Sequence, residues 1–193
     1  MKKIVSLTLL LIMLIVGTTT ATAQESDGDE QLANISDGRV SRTIEDLFDE
    51  YNPSEKQTYL DIKSEHAEFH ENRKGIRLEA VQNYAAKMSE ISGQVADGTL
   101  TPAEGKEQLK VLRSEIKSFI EEAKAIIEQK KAEAQGIKDE IVTLKDSIRD
   151  ELKKDEVVAS KVAAYLEELN TLLQEHLDMD YHYAELIDEI SPS

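Results

Sequence analysis

From Leu109 to Leu152 the apolar residues recur at intervals of three and four. The stripe runs Leu109, Leu112, Ile116, Phe119, Ala123, Ile126, and then Ala134, Ile137, Ile141, Leu144, Ile148 and Leu152. This spacing places one apolar face along a single helix. A seam of that length is buried only by coiled-coil-like packing against other helices. Lys130 stands where an apolar residue is due, and the steps from Ile126 to Ile137 run four, four, three. Such a stutter locally unwinds a supercoil.

Two further seams flank this one. The first reads Tyr59, Ile62, His66, Phe69, Arg73, Ile76, drifts, and resumes as Val81, Tyr84, Met88, Ile91 and Val95. The last reads Val158, Val162, Tyr165, Leu169, Leu172, His176, Met179, Tyr183, Leu186 and Ile190. A shorter cluster of Val40, Ile44, Leu47, Phe48 and Tyr51 predicts a small helix over 41–51 that packs across the end of a bundle.

Local signals set the boundaries. Asn52-Pro53-Ser54-Glu55 and Thr101-Pro102-Ala103-Glu104 each offer an N-cap, a proline at the first helical position and a glutamate three residues after the cap. Asp97-Gly98 supplies a turn between them. The pattern predicts long helices over 53–96 and 102–152. A third is expected over 156–190, after a break at Lys153-Lys154-Asp155 in which Asp155 caps the new helix. Matched lengths and a tight turn make the first two an antiparallel hairpin. The third folds back to complete an elongated, all-α, antiparallel three-helix bundle, a single domain over 41–190. So slim a rod is expected to form a homodimer.

In a hairpin turning at 97–102, facing residues sum to about 199 in number, and across the second turn to about 307. His66 and His176 then fall at one level, near Lys130 and Glu133, with His70, Asp178, Asp180 and His182 close along the axis. One reading is a polar layer that fixes register. The other is a divalent metal site built from His66, His70, His176 and Asp180, since two histidines four apart on one helical face suit a shared ion. Arg73 on the seam is expected to snorkel to the rim, with a buried ion pair as the alternative.

The N-terminus reads as an address. Lys2 and Lys3 precede the apolar run Ile4–Val16, and Ala21-Thr22-Ala23 forms a small-x-small cleavage site, so 1–23 has the anatomy of a secretory signal peptide. The run is shorter than the about 20 residues that span a bilayer. Residues 24–40 are acidic and polar, which predicts a flexible leader. The chain contains no cysteine, hence neither a disulfide nor a lipidated cysteine. A periplasmic or secreted location follows, with no membrane insertion after cleavage.

The full chain of 193 residues carries 39 acidic against 23 basic side chains, a net charge of −16. Losing 1–23 removes two lysines and no acids, making the remainder more negative still. Such a charge repels nucleic acid and anionic lipid and favours basic or amphipathic protein partners. His66-Ala67-Glu68-Phe69-His70 lacks the glutamate directly after the first histidine that a zinc protease helix needs. The sequence holds no phosphate loop and no nucleophile elbow. A non-enzymatic protein without a cofactor is expected, either a scaffold or a chaperone-like holder. A metal-binding envelope protein and a purely structural surface rod are the alternatives. Leu100-Thr101-Pro102-Ala103-Glu104 before a long helix resembles the Leu-Thr-x-x-Gln motif of the Spy/CpxP type of envelope stress chaperone, with Glu104 at the last position. That resemblance implies a helical holder of other exported proteins.

Overall fold

A computed structural model describes residues 34–36 and 41–191. The signal-like segment 1–23 and most of the leader lie outside these residues. The described chain is all-α apart from one small ladder. Strands β1 (Asn34–Ser36) and β2 (Ser41–Thr43) pair antiparallel with Ile35 opposite Arg42. Helices follow over Ile44–Tyr51 (α1), Lys56–Ala96 (α2), Pro102–Leu152 (α3) and Ala159–Glu189 (α4). The ladder corrects the sequence expectation in two places. Asn34–Ser36 is paired rather than unstructured, and 41–43 is strand rather than helix. A strand leading directly into a capped helix satisfies backbone groups that an isolated polar leader leaves to water.

The second long helix begins and ends where its signals put it. Thr101 and Glu104 form a reciprocal box, with the Thr101 amide donating to Glu104 Oε2 at 2.8 Å and the Glu104 amide donating to Thr101 Oγ1 at 3.3 Å. The Thr101 hydroxyl, donating to Glu104 Oε2 at 2.6 Å, and then the Thr101 amide hold the Glu104 carboxyl below its ordinary range. α1 carries the same device at Thr43 and Asp46. Gly98, at φ 84°, occupies the left-handed region that a side chain resists.

The other two helix starts are corrected. α2 begins at Lys56, after a turn over 53–55. Asn52 instead closes α1, its amide donating to the Phe48 carbonyl at 2.9 Å. Its side chain donates to the Ala163 carbonyl at 3.3 Å and accepts from Ser54 Oγ at 2.9 Å, so it has been drawn away from capping. The break after Leu152 is present, but Asp155 is exposed and does not cap. Glu151, buried at 3 % exposure, accepts from the Val158 amide at 3.2 Å across the turn. Lys154 Nζ, 2.5 Å away, and then the Val158 amide hold its carboxyl below the ordinary range.

The described chain divides into two compact units. The first comprises the described residues up to His66 together with Lys131–Tyr181. Its core joins Ile44, Leu47 and Phe48 of α1, Tyr59 of α2, Ile141, Leu144, Ile148 and Leu152 of α3, and Val162, Leu166, Leu169 and Leu172 of α4. Phe48 and Tyr59 stack at 5.1 Å. α4 buries more than the one expected seam. Val162, Leu166, Leu169 and Leu177 are sealed, with Leu173 half-buried between the last two. Leu166, Leu173 and Leu177 form a second stripe that shares Val162 and Leu169 with the expected seam, and it arises because α4 has neighbours on two sides. Val158, expected to start the seam, lies before the helix and stays exposed.

The second unit comprises Ala67–Lys130 and the described residues from His182. Here α2 turns back at Gly98 into α3. A Cβ at Gly105 would run into Val95 Cγ2, so the helices approach closely beside the turn. Glu115 lies near enough to add to the upward push that burial gives the Tyr84 phenol. Both pairings agree with the antiparallel register. Leu112, Ile116, Phe69 and Tyr183 are buried, whereas Val81, Tyr84, Met88, Ile91 and Val95 are only half-buried. Ile76, assigned to the seam, is 47 % exposed. Arg73 does not snorkel: it is buried, and its Nη1 donates to both oxygens of Asp188 at 2.8 and 2.7 Å.

Candidate functional site

The chemistry-bearing residues of the first unit gather where the second stripe of α4 reaches its next position. After Val162, Leu166, Leu169, Leu173 and Leu177 the three-four rhythm calls for an apolar side chain, and the chain supplies Asp180. It is 1 % exposed. Two imidazoles stand against it. His66 of α2 places Nε2 3.2 Å from Asp180 Oδ2. His176, one turn earlier on α4, places Nδ1 3.9 Å from the same oxygen. The two rings lie 5.7 Å apart between centroids at 47°. Their side chains keep only 20 % and 13 % of their exposure.

Side-chain to backbone bonds align these helices. Asn170, buried on α4, donates from Nδ2 to the Glu55 carbonyl at 3.1 Å. Asn52 reaches the Ala163 carbonyl in the same manner. In this unit α2 and α4 therefore run parallel, and the offset that pairs Glu55 with Asn170 brings His66 to Asp180. A buried carboxylate flanked by two imidazoles can hold a proton between them, fix register, or share an ion.

The placements predicted for His66 and His176 at one level agree with this geometry. Asp180 was reachable as an acid near His176, but its burial needed the second stripe, which the sequence carries and a single-seam reading passes over. Asp178, His182 and Glu133 are exposed. His70 and Lys130 belong to the second unit, and both are half-buried. His70 follows His66 by one turn along α2 and sets its ring edge-on to Phe69 at 5.6 Å. Asn170 and Glu151 were missed. Both are polar residues with apolar neighbours at helical spacing, and nothing local distinguishes them from exposed polar positions.

The second unit carries a shallow groove along the first turns of α3. Glu104, Glu107, Gln108, Val111, Leu112 and Glu115 line it. Leu112 is buried and Val111 is half exposed, so the floor is apolar between three carboxylates.

No family model, curated protein or solved structure matches the chain. The Spy/CpxP likeness thus stays with the five residues that carry it, and the Thr101–Glu104 box accounts for two of them as a helix start. Among the described residues no helix is long and apolar enough to cross a membrane.

Proposed function

We propose that this chain is an exported, non-enzymatic helical interaction protein that holds basic, amphipathic segments of other proteins. The observation that carries the reading is the groove on α3, where Val111 and Leu112 lie between Glu104, Glu107 and Glu115. An apolar strip with carboxylates on its margins complements a helix with one apolar face and a lysine- or arginine-rich rim. The net charge of −16 supports the same partner chemistry and adds long-range attraction. The signal-like segment supports an extracytoplasmic setting.

The test is binding of a labelled cationic amphipathic helix, with its acidic counterpart as control. Binding is expected for the cationic peptide alone, weakening at least about tenfold between roughly 0.02 M and 0.5 M salt as the charges are screened. Val111→Asp is expected to weaken it again at constant salt. Equal binding of both peptides, or indifference to Val111→Asp, would refute the assignment to this groove. Suppression of aggregation of an unfolding client at low salt, lost at high salt, is the corresponding functional readout.

A further inference from the structure

We propose that His66, His176 and Asp180 form a binding site for one divalent transition-metal ion of the zinc class. The inference stands apart from the groove on α3 and does not depend on it.

The distances suit a shared ion. Where nitrogen and oxygen ligands lie about 2.0–2.1 Å from a tetrahedral zinc, two ligand atoms stand about 3.3 Å from each other. His66 Nε2 and Asp180 Oδ2 are 3.2 Å apart. His176 Nδ1 stands 3.9 Å from the same oxygen. Two imidazoles bound to one ion place their centroids about 5–6 Å apart, and these rings are 5.7 Å apart.

The donor set selects the ion. Two imidazoles and one carboxylate, in a chain without cysteine, suit zinc, copper(II) or nickel. Calcium and magnesium require about six or more oxygens, which this cluster does not offer. The scaffold is organised in advance. His176 and Asp180 are one turn apart on α4, where Asn170 donates to the Glu55 carbonyl just before α2 and the Ala163 carbonyl accepts from the Asn52 side chain. The burial of Asp180 sheathes the ion, and three protein ligands leave one tetrahedral position for water or an outside ligand.

The test uses the full chain without a histidine tag, stripped with chelator and titrated with zinc by calorimetry. One zinc per chain is expected, with calcium in excess failing to displace it. His66→Gln and Asp180→Asn should each weaken binding at least about tenfold, with helicity checked by circular dichroism. Cobalt(II) added to the unaltered chain supplies a readout independent of any variant. Intense visible d–d absorption reports tetrahedral ligation and supports the site; the faint spectrum of a six-coordinate hydrated ion overturns it. Absence of saturable zinc binding, or unchanged affinity in both variants at native helicity, overturns it equally.

Discussion

The two units share three of the long helices yet bury them to different depths. In the first, Ile44, Leu47, Phe48, Ile148, Val162, Leu166, Leu169 and Leu177 are at most 1 % exposed. In the second, the seam of α2 from Val81 to Val95 is half-buried, and Ile76, Leu78 and Val111 are exposed. The contrast follows from neighbours. In the first unit α1 joins α3 and α4 in one cluster and closes it with Phe48 against Tyr59. In the second unit α4 supplies only its last turns, so along most of their length the two helices of the hairpin cover little more than one stripe of each other. Half-covered helices leave apolar surface for a partner; a closed core leaves room for a specified polar cluster.

The largest test of this contrast is a matched pair of core truncations. Leu166→Ala, in the sealed core, is expected to cost about 4 kcal/mol, and Leu112→Ala, beside an open groove, about 2 kcal/mol. Urea unfolding measures both, and equal losses would break the comparison. Gly105→Ala probes the one tight approach in the second unit. Because its Cβ would meet Val95 Cγ2, a loss of about 1–3 kcal/mol is expected, and an unchanged stability would break the claim of a tight approach.

A pH series sharpens the first unit. Glu151 has a folded pKa held below its ordinary 4.5, first by Lys154, so its contribution is complete above the unfolded value. That contribution should fade as pH falls through the lower folded value. The melting temperature of Glu151→Gln should therefore lie below that of the unaltered chain at pH 7, and the two should converge on acidification. A constant gap would deny the cap its role. The smallest effect belongs to Arg73 and Asp188. With Asp188 half exposed, solvent screens the pair, and a double-mutant cycle should return less than about 1 kcal/mol.

Much of this architecture was legible in the sequence. The Thr101–Glu104 box, the Gly98 turn and the bounds of α3 depend on groups within a few residues of one another, so local spacing sufficed. The antiparallel register followed from the same turn, and the level shared by His66 and His176 followed from helix rise. Asn52-Pro53-Ser54-Glu55 misled because the same pattern can cap or turn. Here the Ala163 carbonyl, far away in sequence, claimed the Asn52 side chain. Asp155 misled for a similar reason, since Glu151 reached the orphaned Val158 amide from the opposite side of the turn.

By itself, the sequence determined that the chain is helical, where the longest helix begins and ends, and which residues share a face. Each of these rests on periodicity or on hydrogen bonds between near neighbours. Only the tertiary structure decided how wide each buried face is. A three-four rhythm specifies the direction of a stripe around the axis but not the number of helices that come to lie against it. That number turned Asp180 from one acid among 39 into a buried carboxylate between two imidazoles, and left Ile76, on an equally regular stripe, in water.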